Sequence, residues 1–454
     1  MRIKSEAVLE FGAADDEPIE IVREYRDQYK TLGKLLDQQP KILEMVHRDL
    51  DRLSQSSSPR GRKADFTSEN LFRGILVMQR EGLDYRETSV RIAESETLQS
   101  FCRLLKKPTI DFTLLSKAFS VIQPETWENI NHLLALNAVS EELITVEHVR
   151  ADATVTECNI HWPTDSSLLW DVYRVAARTM SYGREFDPLS CPWRFHVKKV
   201  KKLHLYVTRY ASSRSKKRLR QVRQQMKKLI VRVEEIVEKA DQFVALSQRS
   251  TCLQLQGLGA SLAERLPVMR QVAEVARRRH DGEQVPNGNK VFSIFEPHTE
   301  LIKRGRRGRP IEFGHKLWLS QSREKFITDY AVLEKCCPDN ELLETVIERH
   351  EERFGRRPES VVADKGFCPD ADSYEELEEE IEYLGVPRST RDFGDTLMGI
   401  CQQWRAGIEG TISCLKRAFR LARCGFRGFK NFASAVGSAV FCHNLRILAK
   451  MSGG

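Results

Sequence analysis

The periodicity of the chain changes twice, and that alternation limits the folds open to it. Over residues 143–157 the pattern is short-period and β-branched: Leu143, Ile144, Val146 and Val149 lead into Arg150-Ala151-Asp152-Ala153-Thr154-Val155-Thr156. This predicts a strand with Asp152 inside it. Residues 164–285 read as helix. Within them Met226, Leu229, Ile230, Val233, Ile236, Val237, Ala240 and Phe243 recur at spacings of three and four, the pattern of an amphipathic helical arm. Pro286-Asn287-Gly288-Asn289 ends that block. Strand-like runs return at 291–295, 313–320, 326–333, 360–364 and 381–386, with helical segments at 340–354 and 373–382 and a last long helix over about 398–422. Strand–helix alternation interrupted by a helical block predicts an α/β or α+β core with an insertion.

Upstream, residues 1–53 read as helix, 54–62 as a small, polar, basic linker, and 68–140 as a compact helical pattern. Leu71, Ile75, Leu76 and Met78 share a face, Gly82-Leu83 turns the chain, and Asp84 with Glu87 resembles a capping box. Two helices about a glycine turn suit a helix-turn-helix reader of DNA and equally a plain bundle. The expected division is a helical DNA-binding or dimerisation region over 1–140, a core made of 141–165 with 286–454, and a basic helical insertion over 166–285.

The formal net charge of +8 is modest for 454 residues, but unevenly spread. Residues 197–232 hold 14 Lys/Arg and no Asp/Glu, among them Lys216, Lys217, Arg218 and Arg220. A second cluster comprises Lys303, Arg304, Arg306, Arg307 and Arg309. Such clusters favour polyanions, nucleic acid first among them. The start Met1-Arg2-Ile3-Lys4 has no apolar leader pattern, no run is expected to reach the roughly 18 apolar residues of a membrane span, and no membrane partner is expected. The eleven cysteines include no C-x2-C pair, which argues against zinc-ribbon or redox spacing and for reduced thiols in a cytoplasm.

One acidic residue stands alone in a basic segment. From residue 401 to 454 there are nine Lys/Arg and only Glu409 on the acidic side. Asp152 and Asp364 lie in or at the end of expected strands, where open α/β sheets gather ligands. Three such carboxylates suit Mg2+ or Mn2+, which prefer hard oxygen donors. Asp152 could instead pair with Arg150, and Glu409 could be an ordinary helix acid. Asp364 resembles a Walker B aspartate, but the chain has no G-x4-G-K-[ST] loop. His161, His196 and His204 have no metal-ligand spacing and are expected to be structural. Thr164-Asp165-Ser166 is expected to cap a helix, with Asp165 near the site, and Trp162 is expected in the core rather than stacked on a base.

The order and spacing of these residues resemble the DDE transposases of bacterial insertion sequences, in particular the group whose glutamate helix reads Tyr-x2-Arg-x3-Glu-x6-Lys. Arg405, Glu409 and Lys416 match, while Gln402 stands at the tyrosine position. The segments Asp152-Ala153-Thr154, Asn159 through Leu169, and Ala363-Asp364-Lys365-Gly366-Phe367 resemble the surroundings of that family's two aspartates. The second and third carboxylates are 409 − 364 = 45 residues apart. The resemblance covers roughly residues 65–450. It implies an RNase H-like (retroviral-integrase-type) α/β catalytic core with a helical N-terminal domain and a helical insertion. It implies Asp152, Asp364 and Glu409 as catalytic ligands of two Mg2+ ions, Mn2+ substituting, with Arg405 and Lys416 on DNA phosphates. The implied partners are double-stranded DNA, as terminal inverted repeats and as target, and a second copy when two ends are paired. The implied location is the bacterial cytoplasm, at the nucleoid. Two rivals remain: a metal-dependent nuclease or resolvase without strand transfer, and a catalytically silent DNA-binding derivative.

Overall fold

The computed structural model describes residues 2–6, 18–54, 65–104, 107–304, 310–389 and 396–452. The chain divides into two compact units: Met1–Glu157 with Gly314–Gly454, and Cys158–Phe313. These limits differ from those expected. The N-terminal helices join the same unit as the sheet, and the inserted unit is wider than 166–285. The expected 54–62 linker lies almost wholly outside the described residues.

The first unit opens with α1 (Glu20–Asp37), α2 (Pro40–Leu50), α3 (Ser68–Glu81), α4 (Tyr85–Glu94), α5 (Glu96–Phe101), α6 (Phe112–Val121) and α7 (Pro124–Ser140). Thr67 with Asn70 and Asp84 with Glu87 form capping boxes at the starts of α3 and α4, each satisfying backbone N–H groups that the first helical turn leaves unpaired. Gly82 closes α3 at φ +60°, a left-handed conformation suited to glycine. Every residue of α3 from Ser68 to Gln79 is buried. It is a central helix, and of this helix pair only α4 keeps a solvent-exposed face, including Val90 and Arg91.

The second unit begins at the end of β1 (His148–Cys158) and contains α8 (Asp165–Phe186), α9 (Val197–Tyr210), α10 (Lys216–Arg249), α11 (Leu253–Ala263) and α12 (Leu266–His280). The expected three-four repeat is the buried face of α10: Leu229, Ile230, Val233, Ile236, Val237, Ala240 and Phe243. They pack with Leu169, Val172, Ala176 and Met180 of α8 and Met269 and Val272 of α12, and burying each Leu, Ile, Val or Phe is worth roughly 1.5–3 kcal/mol. The first turns of α10 contribute nothing to this core. Residues 291–295 are not a strand. The Ser293 hydroxyl accepts from the backbone N–H of Phe295 and Glu296, closing a turn that competes with extended pairing. β2 (Glu300–Lys303) and β3 (Ile311–Gln321) follow as paired strands.

Back in the first unit come β4 (Ile327–Val332), α13 (Leu342–Phe354), β5 (Ser360–Val362), α14 (Ala371–Glu380), β6 (Tyr383–Gly385), α15 (Thr396–Arg417), β7 (Arg423–Cys424) and α16 (Phe429–Ser452). The sheet is mixed. β1 pairs antiparallel with β3, and β3 antiparallel with β4, while β5 runs parallel to β1 and β6 parallel to β5. Side chains alternate across it. Val149, Ala151, Trp318, Val361 and Ala363 face a core shared with Leu343, Val346 and Ile347 of α13 and Tyr374 and Leu377 of α14.

The last long helix is α16, not the one carrying Glu409. Contrary to expectation, Phe429–Met451 is long and apolar enough to cross a membrane, but 78% of its most apolar 18-residue stretch is buried. An all-round apolar helix must be enclosed. The N-terminal helices do this: Phe72, Trp127 and Phe441 form an aromatic cluster, and Asn131 Nδ2 donates to Gly437 O at 3.0 Å.

Candidate active site

Asp152 lies on β1, and Asp364 lies two residues past the end of the neighbouring parallel strand β5. The β1–β5 ladder ends at Arg150 opposite Val362, and two residues further along each segment comes its aspartate. Adjacent strands lie about 4.8 Å apart. Asp152 is on the sheet face opposite the Val149–Ala151 core, because side chains alternate along β1. Asp152 Oδ1 accepts from the Ala153 N–H at 2.7 Å. Asp364 caps the short turn Lys365–Phe367, its Oδ1 accepting from the Gly366 N–H at 2.8 Å. A Cβ at Gly366 would lie 2.9 Å from that oxygen, so glycine keeps the turn tight against the carboxylate.

Glu409 comes from α15. The Arg405 guanidinium lies between the acids, 3.6 Å from Asp152 Oδ2 and 3.3 Å from Glu409 Oε1. The Asp152 side chain is 14% exposed and that of Glu409 66%. Burial pushes the Asp152 carboxyl up to about 6; the nearby Asp364 and Glu409 add to the rise, and Arg405 and the Ala153 N–H oppose it. The three acids do not all come within 4.8 Å of one another. Arg405 occupies the intervening space, and the exposed Glu409 is the acid with most freedom to turn. The donor set itself, carboxylate oxygens with Asp152 raised by burial and by its acidic neighbours, is of the type that suits a hard divalent ion.

Gln402, at the expected tyrosine position, is turned inward. Its Nε2 donates to Ala363 O and Gly385 O, both at 2.9 Å, tying α15 to the ends of β5 and β6. Lys416, seven residues beyond Glu409, is half-buried on α15.

In the second unit Lys216, Lys217, Arg218 and Arg220 are all exposed on the first turns of α10. Arg218 lies 4.6 Å from the Tyr210 ring. Lys216, Lys217 and Arg220 make no ion pair among the described residues. Lys303 is exposed, whereas Arg304 pairs with Glu312 at 3.3 Å. Arg306, Arg307 and Arg309 lie outside the described residues. Thr164 caps α8 as expected. Asp165 is bonded to Arg279. Trp162 is not a core residue: it is 66% exposed, with its ring edge-on to Phe313. His161 lies 3.4 Å from Asp171 and His204 stacks on Trp170, both within the helical unit.

Sequence reasoning missed Arg150 as more than a partner for Asp152. A charged residue at a buried position of a β-branched run was the available signal. No protein-family model, curated protein or solved structure matches the chain.

Proposed function

We propose that this chain is a DNA transposase that cuts element ends and joins their 3′ ends to target DNA. The observation that carries it is Asp152 on β1 and Asp364 just past the end of the parallel neighbour β5, with Arg405 of α15 lying between Asp152 and Glu409. Strands β4, β3 and β1 form an antiparallel trio continued by parallel β5 and β6, a mixed sheet compatible with the α/β core that the resemblance implies.

Asp152, Asp364 and Glu409 would hold two Mg2+ ions, Mn2+ substituting, and such a pair activates a nucleophile and stabilises a leaving oxygen in phosphoryl transfer. The protein's own part begins with charge. Burial and the neighbouring acids disfavour the charged form of Asp152, and a cation at the site would relieve that repulsion while taking the place of Arg405 beside Asp152. Arg405, once released, lies one turn before Glu409, where its planar fork can take phosphate oxygens. Lys416 is on the same helix face. The exposed cations of α10 supply sequence-independent grip on the duplex.

The test is a purified-protein reaction with Mn2+ and DNA taken from either side of the coding sequence, including any inverted repeats found there. Cleavage with 3′ ends joined to a second duplex supports the proposal. Cleavage without joining makes the protein a nuclease, and binding without cleavage a DNA-binding derivative.

A further inference from the structure

Arg150 is a charge in the wrong place for simple packing. It is 3% exposed on the same face of β1 as Asp152, and it forms no ion pair among the described residues. Its partners are neutral. Nη1 donates to Trp404 O at 2.6 Å, Nε donates to Gln321 Oε1 at 2.9 Å, and the guanidinium lies 5.3 Å from the Trp404 ring. Gln321 passes the connection on, donating from Nε2 to Thr411 Oγ1 at 2.6 Å and to Lys325 O at 2.9 Å. Nη2 is buried without a hydrogen-bond partner. Between Trp404 and Thr411 stands Gly407, where a Cβ would lie 2.4 Å from Arg150 Nη1. The helix has a hole where the guanidinium enters.

A buried, uncompensated cation carries a desolvation cost that an apolar residue would avoid. Methionine at 150 and alanine at 407 would fill the same space with dispersion contacts alone. Such contacts leave a helix free to rotate by several degrees about its axis, since apolar packing is not directional. Hydrogen bonds from a fixed fork to one helix carbonyl, with a second chain ending on a hydroxyl two turns on, set rotation and height together. Glu409 lies between those two attachment points.

We infer that Arg150, seconded by Gln402, is a positioning residue that seats α15 on the sheet so that Glu409 faces Asp152 and Asp364. This rests on the proposal that those carboxylates bind divalent metal. Arg150 acts through the helix and touches no substrate.

The test compares wild type with Arg150→Met, Arg150→Lys and Gln402→Leu. It uses amide hydrogen exchange along α15 without metal, and Mn2+ binding followed by electron paramagnetic resonance. Arg150→Met should keep its denaturant midpoint near wild type, while α15 amides exchange about tenfold faster and Mn2+ binds about tenfold more weakly, the range for losing a charge-assisted hydrogen bond. Arg150→Lys, with charge but no fork, should not rescue either. Gln402→Leu should show the same pair of changes at smaller size, and it decides the matter if Arg150→Met does not fold. Unchanged α15 exchange in the folded variants overturns the inference, as does faster exchange spread evenly over the whole unit. Failure of the metal proposal looks different: wild type then binds no Mn2+ that Asp152→Asn abolishes, while α15 exchange still rises in Arg150→Met.

Discussion

The cations on the first turns of α10 and those around the carboxylates are the same residue types in opposite surroundings. Lys216, Lys217 and Arg220 are exposed and form no ion pair among the described residues. Arg405 is 16% exposed and shared between two acids, and Arg150 is buried against neutral acceptors. On the proposed function the first group would act by number, through a screened field that any polyanion feels. The second acts by direction, because each nitrogen has an assigned partner. Charge-to-glutamine changes therefore grade smoothly in one place and fail sharply in the other.

The largest effect should come from the acids. Asp364→Asn keeps the shape and removes the charge, and should slow cleavage by about a thousandfold or more, over 4 kcal/mol of barrier at roughly 1.36 per decade. DNA affinity and melting temperature should hardly move. Single-turnover cleavage near the wild-type rate would remove Asp364 from the catalytic set, and Asp152→Asn and Glu409→Gln are judged alike.

Next is the acid limit of the first unit, where bases are buried uncharged. His443 Nε2 meets Lys325 O at 3.0 Å, and burial holds both His443 and His350 down to about 4. Unfolded histidine protonates near pH 6.5. The unfolded chain thus takes up protons first as pH falls, and stability drops between about 6.5 and 4, by about 3 kcal/mol per histidine. Urea midpoints at pH 7.5 and 4.5 read this loss, and His443→Gln should remove a good part of it. An equal loss in the variant would assign the acid sensitivity elsewhere.

Gly407→Ala should cost about 1–3 kcal/mol, the usual penalty of overpacking, since the Arg150 guanidinium it would meet is buried and hydrogen-bonded to Trp404 O and Gln321. A Tm equal to wild type would mean that α15 shifts freely, which would blur the contrast between the two groups of cations. The smallest and most graded effect belongs to α10. Replacing Lys216, Lys217, Arg218 and Arg220 by Gln should flatten log K against log salt by about 0.9 per lost phosphate contact without altering the melt. An unchanged slope would leave those residues a solvated helix face.

What could be read from the sequence was local. The β-branched run around Asp152, the strand into Asp364, the Asp84–Glu87 cap and the repeat along α10 all depend on neighbours within a few residues. What could not be read depends on distant ones. Arg150 finds Trp404 across 254 positions and Asn131 finds Gly437 across 306. The enclosure of α16 by the N-terminal helices, and hence their place in the same unit as the sheet, is likewise set by tertiary contacts. The misread strand at 291–295 failed for a local reason, since Ser293 offers the backbone a turn that hydropathy does not register. Trp162 failed for another: composition says that tryptophan is buried on average, not that this one is.

The junction between the two units has a consequence in time. Glu157 and Gly314 are opposite one another on β1 and β3, and a Cβ at Gly314 would lie 2.0 Å from Thr156 O. The intervening unit therefore leaves and re-enters at points one strand apart, where a two-residue turn would serve to join them. On the ribosome, at roughly 5–20 residues per second, β1 emerges and waits on the order of ten seconds or more for its antiparallel neighbour. During that interval a complete helical unit can fold and draw its own two ends together, delivering β3 to a strand that has been standing open. The insertion would then serve the sheet as an internal chaperone, shortening the effective loop from over 150 residues to the width of a hairpin.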